Sequence, residues 1–147
     1  MKTVARILQA KKSPAVYTIA PEANVLDAVK LMADKGIGAL LVMEGEEIVG
    51  IVTERDYARK MVLQGRSSYN TPVAEIMTTG VMYVRPDQTN EECMALMTEN
   101  RLRHLPVLEN RRLVGLISIG DLVKDIISEQ QFIIQQLEHY IHGDRVY

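Results

Sequence analysis

The sequence predicts an α+β fold: two copies of one β-α-β-β-α unit packed about a pseudo-twofold axis, followed by a C-terminal helix. Three observations predict it. Shifting the chain against itself by 65 residues lays Val16–Val62 on Val81–Ile127 without a gap, and ten of those 47 positions are identical. Pro21/Pro86, Leu31/Leu96, Met32/Met97, Val42/Val107, Gly50/Gly115 and Asp56/Asp121 are among them, while Ile19/Val84, Asp27/Glu92, Ile48/Leu113 and Thr53/Ser118 keep their character. Each copy alternates short β-branched runs with segments of helical apolar spacing. Finally, a unit of about 60 residues buries too little surface to stand comfortably alone, whereas two units packed sheet to sheet share one core.

The elements follow in order. Val4-Ala5-Arg6-Ile7-Leu8 resembles Val73-Ala74-Glu75-Ile76-Met77, so a short lead-in precedes each copy, with four extra loop residues around Lys11–Pro14 in the first. Val16–Ile19 and Val81–Val84 predict short strands, each closed by a proline that cannot feed a ladder. Asn24 and Thr89 predict helix N-caps, with Asp27 as the acidic half of a capping box. Val25, Val29 and Met32, and then Cys93 and Met97, recur at helical spacing. Leu40–Met43 with Ile48–Val52, and Leu105–Leu108 with Leu113–Ile117, predict two hairpins. A second helix begins near Thr53 and near Ser118. The first motif spans about residues 3–63, a polar linker about 64–71, the second motif about 72–127, and a terminal helix about 128–142.

Composition narrows the function classes. The 147 residues are 47% hydrophobic and 24% charged, with 17 Lys+Arg against 19 Asp+Glu and a net charge of −2. That balance argues against a nucleic-acid module, whose affinity rests on neutralising phosphates. A single cysteine, Cys93, excludes an internal disulfide framework and suits a reducing compartment. There is no apolar run long enough for a signal peptide or membrane span. The expectation is a soluble cytoplasmic protein with no nucleic acid or membrane among its partners.

Both copies carry a glycine followed three residues later by a hydroxyl and six residues later by an aspartate: Gly50-Thr53-Asp56 and Gly115-Ser118-Asp121. A strand runs directly into a helix there. One reading is helix capping, worth about 0.5–2 kcal/mol. The other is that hydroxyl and carboxylate face a cleft and hold paired hydroxyls such as those of a ribose, at about 1.5–3 kcal/mol per charge-assisted bond. The spacing alone favours capping, and the two can coexist.

The tandem repeat, the Val-x-x-Ile-Met-type lead-in, the hairpin and the Gly-x-x-[Thr/Ser]-x-x-Asp ending resemble a pair of cystathionine-β-synthase (CBS) domains. Thr53-Glu54-Arg55-Asp56-Tyr57-Ala58-Arg59-Lys60 and Arg103-His104-Leu105-Pro106-Val107 are similar to the stand-alone bacterial members. The resemblance implies two related clefts for adenosine-containing ligands (AMP, ADP, ATP, NAD or S-adenosylmethionine). It puts Thr53 and Asp56 on the ribose in one cleft and Ser118 and Asp121 in the other. It also puts Tyr17, Met82, Ile37 and Leu102 around the adenine. Arg103 and His104 align with Gly38 and Ala39, and Arg55 aligns with Gly120, so the two clefts are not expected to be equivalent. Arg103 offers a planar fork for phosphate, and His104 donates near neutral pH if an adjacent anion raises its pKa. Ordinary surface salt-bridging is the alternative for both. Space beside Gly38 admits a longer ligand such as a dinucleotide, although Gly36-x-Gly38 does not begin a dinucleotide fingerprint.

Other candidates carry less. Cys93 reads as a buried structural thiol. His139 and His142 lack a third metal ligand at suitable spacing. From Leu122 to His142 no breaker interrupts a helical stripe of Ile126, Ile133, Leu137 and Ile141. That stripe fits a homodimer contact better than packing on its own core, because the repeat is already complete at Ile127. The leading expectation is a non-catalytic sensor that binds an adenine nucleotide (AMP, ATP or NAD) as a regulatory ligand and modulates an unknown partner, with no catalytic cofactor or metal. A structural dimerisation module with vestigial clefts and a nucleotide hydrolase are the alternatives.

Overall fold

The computed structural model describes residues 2–11 and 15–141. In chain order it contains α1 (Val4–Ala10), β1 (Thr18–Ile19), α2 (Val25–Lys35), β2 (Ala39–Glu44), β3 (Glu47–Thr53) and α3 (Glu54–Tyr57), which runs on as a π-helical turn over Ala58–Val62. A 3-10 turn at Val73–Glu75 opens the second half, which continues with α4 (Asn90–Asn100), β4 (His104–Glu109), β5 (Arg112–Ser118) and α5 (Ile119–Ile141). The repeat is therefore structural as well as sequential.

Each half is built on an antiparallel hairpin, β2 with β3 and β4 with β5, and the two ladders follow the same register with a shift at the same place. Ala39, Leu40, Leu41 and Val42 are all buried. Such a continuous apolar run marks a strand covered on both faces. The halves differ beside the hairpins. In the first, β1 adds in parallel to β2 through Thr18↔Leu41 and Ile19↔Val42. In the second, the strand expected over Val81–Val84 shrinks to one parallel bridge, Val84↔Val107. Pro106 stands where the first copy has Leu41 and has no N–H to donate, so the ladder cannot lengthen.

Two apolar clusters replace the single shared core that the sequence suggests. Val25, Ala28, Met32, Leu40, Val42, Val52 and Met61 form the first, which Val73 and Ile76 complete. Val84, Cys93, Met97, Leu105, Val107, Ile117 and Leu122 form the second, which Val4 and Ile7 complete. The lead-ins are thus crossed: each closes the core of the other copy. Their backbones cross in the same way. Val4 and Ala5 donate to the carbonyls of Gln88 and Pro86 at 2.8 and 2.9 Å, and Val73 and Ala74 donate to those of Ala23 and Pro21 at 2.7 and 2.9 Å. These acceptors satisfy helix N–H groups that no side chain caps. Repeat alignment does not reveal this exchange, because it registers similarity and not contact.

A related correction concerns α2. Asn24 makes no side-chain capping bond, and the expected box with Asp27 is absent. The N–H groups of Val25 and Leu26 donate instead to the carbonyls of Thr71 and Ser68 at 2.9 and 3.1 Å, so the linker does the capping. In the second half Thr89 does cap α4, accepting from the Glu92 N–H at 3.3 Å.

The repeated glycines make the crossing possible. A Cβ on Gly50 would lie 2.7 Å from Met77 Sδ and 3.0 Å from the Thr78 carbonyl oxygen, while one on Gly115 would lie 2.7 Å from Leu8 Cδ2. Met77 and Leu8 occupy the same place in the two lead-ins. Gly115 faces only the end of a flexible side chain, but Gly50 also faces backbone. Gly50→Ala should therefore destabilise by about 1–3 kcal/mol in urea denaturation and Gly115→Ala by clearly less. Equal losses would show that the Thr78 backbone is not what limits Gly50.

Candidate functional site

Thr53 and Asp56 form a complete capping box at the start of α3. The Thr53 N–H and hydroxyl donate to Asp56 Oδ2 at 3.0 and 3.1 Å, and the Asp56 N–H donates back to Thr53 Oγ1 at 3.1 Å. Ser118 and Asp121 do the same for α5, at 2.9 Å from the Ser118 N–H to Asp121 Oδ2 and 3.2 Å in return. The capping reading is thus realised in both copies.

Each carboxylate also meets a lysine. Asp56 is 7% exposed; its Oδ1 accepts from the Thr78 hydroxyl at 3.2 Å and pairs with Lys60 Nζ at 3.2 Å. Lys60 also donates to the Ile76 carbonyl at 2.9 Å. In the second copy the position of Lys60 is taken by Asp125, which pairs with Lys2 Nζ at 3.3 Å and accepts from Asn90 Nδ2 at 2.8 Å. Asp121 is served instead by Lys11, whose Nζ sits 3.0 Å from Asp121 Oδ2 and donates to the Leu116 carbonyl at 2.8 Å. One carboxylate is matched from its own helix turn, the other by the amino-terminal segment.

A cavity of about 260 Å³ opens at the first box. Thr53, Arg55, Asp56 and Gly38 come to it from the first copy; Leu102, Arg103 and His104 come from the second. Ile51, Glu54, Thr78 and Arg101 complete its wall. The structure thus joins most of the residues that the sequence singles out. It does not bring the others there. Ser118 and Asp121 form the second box beside Lys11, and do not line this cavity. Tyr17 and Ile37 pack against the first core, with Lys35 Nζ 5.2 Å from the Tyr17 ring centroid, and Met82 is exposed. Lys60 could have been found from its i+4 spacing to Asp56. Thr78 and Lys11 carry no local signal, since only the crossed lead-ins bring them to the carboxylates.

His104 lies between the two boxes. Burial pushes its pKa below the ordinary value, Lys11 and Arg103 push the same way, and Asp121 and Glu54 oppose them without prevailing. Without a bound anion the ring is therefore neutral near pH 7, not the cation that a phosphate would favour. Cys93 is buried, and its thiol is pushed up to about 11 by that burial and by Glu92, so it is no thiolate nucleophile. Among the described residues no group of three or more metal-ligating side chains occurs. His139 is described, but His142 lies outside the described residues, so the expected tail pair is not seen as a pair. No described helix is long and apolar enough to cross a membrane.

The His104 shift has a definite sign. Its pKa is lower folded than unfolded, so across the interval below about pH 6.5 the unfolded chain binds more protons and stability falls as pH falls. The urea midpoint of the wild type should drop more steeply between pH 7 and 5 than that of His104→Gln. Parallel profiles would contradict the burial of a neutral ring.

Comparison with known proteins agrees with this architecture. The CBS-domain family model matches residues 5–63 and 73–128. A CBS-domain protein of known structure from Burkholderia ambifaria MC40-6 is 62% identical, covers 88% of this chain and 96% of its own, and superposes with a TM-score of 0.85. The mitochondrial CBS domain-containing protein CBSX3 of Arabidopsis thaliana is 44% identical over 125 residues, 82% of this chain but only 61% of that relative. This chain therefore spans about three fifths of that relative's length. The CBS domain pair of MJ0100, solved with 5′-methylthioadenosine and S-adenosyl-L-methionine, superposes with a TM-score of 0.77 across 88% of this chain and 98% of its own. At 24% identity that likeness is one of fold. The family model thus matches both halves of the doubled unit: the chain belongs to the CBS-domain family, as a tandem pair.

Proposed function

We propose that the chain is a non-catalytic cytoplasmic sensor of adenine nucleotides, of the AMP, ADP, ATP or NAD class, whose ligand shifts the two halves and thereby modulates a partner protein. One observation carries the reading: a single cavity sets the Thr53–Asp56 hydroxyl and carboxylate of one copy against the Arg103 and His104 of the other. Asp56 Oδ2 is committed to its cap, while Oδ1 is held only by side-chain donors, Thr78 and Lys60. Ribose hydroxyls can exchange with those donors without breaking the helix start. A phosphate near Arg103 and His104 would raise the His104 pKa and turn the ring into a second donor. The bound adenosine ligands of the MJ0100 pair support the same ligand class. A ligand that favours one arrangement of the halves shifts the population by its differential affinity, which is what a switch requires.

The two clefts differ in readiness. Both carboxylates carry a lysine, Lys60 on Asp56 and Lys11 on Asp121, but Asp56 lines the cavity and Asp121 does not. Wild type should bind one adenine nucleotide per chain in calorimetry. Asp56→Asn should weaken that binding about tenfold or more, and Lys11→Met should add a second event at Asp121. If no adenine nucleotide gives heat or a thermal shift, the clefts are vestigial and the chain is a structural module. ATP and NAD should stay intact through such titrations; product formation would mark an enzyme.

The homodimer expected from the terminal helix belongs to the same proposal. Residues 130–140 of α5 are all exposed, and Phe132, Ile133, Ile134 and Leu137 are 52–63% exposed, so this stretch does not pack on its own core. Part of its apolar face repeats in reverse about Gln130: Val123 falls on Leu137, Ile126 on Ile134 and Ile127 on Ile133, while Phe132 falls on Ser128. An antiparallel twofold contact centred there would set these apolar pairs against each other. Leu137→Glu should halve the mass seen in sedimentation; a monomeric wild type would refute the contact.

A further inference from the structure

Next to the Asp56–His104 cavity runs a more open groove of about 640 Å³, lined by Arg55, Arg59, Arg101 and Arg103 over Met97 and Leu102. Among the described residues no carboxylate lines it. All four arginines are exposed, and none makes an ion pair or a side-chain hydrogen bond among the described residues. This is a concentrated positive field on a chain whose net charge is −2. Each copy contributes two: Arg55 and Arg59 one helical turn apart, and Arg101 and Arg103 from the segment between α4 and β4.

Arg101 is placed there at a cost. It ends α4 in the left-handed region at φ 55°, where the first copy ends α2 with Gly36 at φ 64°. A side chain at that conformation costs backbone free energy that glycine avoids. Strain of this kind persists where the side chain has a task. The groove and the cavity share Arg55, Arg101, Leu102 and Arg103, so they are continuous. The cavity alone, at about 260 Å³, is smaller than the roughly 300–1,000 Å³ typical of ligand pockets. A single phosphate brings a charge of about −1.5 to −2, about half of what four guanidiniums match.

We propose that the four-arginine groove binds a phosphate chain and selects ligands with three or more consecutive phosphates over monophosphates. The adenine-nucleotide reading supplies only the sugar end of such a ligand; the chain of phosphates is testable without it. Planar guanidiniums from the two copies would grip successive phosphates bidentately, and the chain would clamp the halves together.

The test is calorimetry with AMP, ATP, inorganic tripolyphosphate and a single-stranded RNA oligonucleotide, on wild type, Arg59→Ala and Arg101→Gly. The expected result is ATP at least tenfold tighter than AMP, and tripolyphosphate competing with ATP. Both variants should lose at least fivefold more affinity for ATP and tripolyphosphate than for AMP. Arg101→Gly should also raise Tm, since glycine relieves the left-handed strain, so its loss of binding cannot be a folding defect. If tripolyphosphate binds and the variants abolish it, while AMP does not bind and ATP is no tighter than tripolyphosphate, the groove stands and the adenosine reading falls. If AMP and ATP bind equally and neither variant changes their ratio, the adenosine reading stands and the groove proposal falls. RNA binding tighter than tripolyphosphate, lost in both variants, would overturn it in favour of a nucleic-acid surface.

Discussion

The structure depends on the crossed packing of the two lead-ins. Val4 and Ile7 fill the second core, while Val73 and Ile76 fill the first. At about 1.5–3 kcal/mol for each large apolar side chain buried, these four residues hold the halves together with an energy comparable to the whole stability of a small domain. Separating the copies would open both cores at once. The lead-ins also run past Gly50 and Gly115 to the capping boxes, where Thr78 meets Asp56 and Lys11 meets Asp121. Core closure and the occupancy of the carboxylates are therefore parts of one arrangement. On the proposed reading, a ligand that displaced Thr78 or Lys11 would act on the segments that clasp the halves.

Duplication preserved the backbone and freed the side chains. The hairpin registers agree, and the paired lead-in hydrogen bonds fall on equivalent acceptors. The side chains at equivalent positions do not agree: Lys60 aligns with Asp125, Gly36 with Arg101, Gly38 with Arg103, and Ala39 with His104. At the cavity, Gly38 of the first copy stands with Arg101 and Arg103 of the second. Both carboxylates carry a lysine, yet the basic cavity opens at Asp56 and does not include Asp121.

The sequence made much of this legible, for identifiable reasons. Hairpins, helices and capping boxes are local, and their residue types announce them, as Gly50-Thr53-Asp56 does. The 65-residue repeat then predicts the pairing of the halves. What escaped is non-local. Nothing near Lys11 points to Asp121, and nothing near Thr78 points to Asp56. The side-chain cap assigned to Asn24 failed because carbonyls of Thr71 and Ser68, distant in sequence, reach the helix first. The strand at Val81–Val84 failed because one proline in its neighbour removed a donor. Tyr17, Ile37 and Met82 came from a resemblance and not from a local signal, and the cavity at Asp56 does not include them.

The most direct measurement is a crystal structure of the chain grown with an adenine nucleotide. The expected result is density for the sugar at Asp56 Oδ1, with Thr78 and Lys60 moved off that oxygen and the cap to Oδ2 intact. Nucleotide bound elsewhere, with Thr78 and Lys60 still on Asp56, would contradict it.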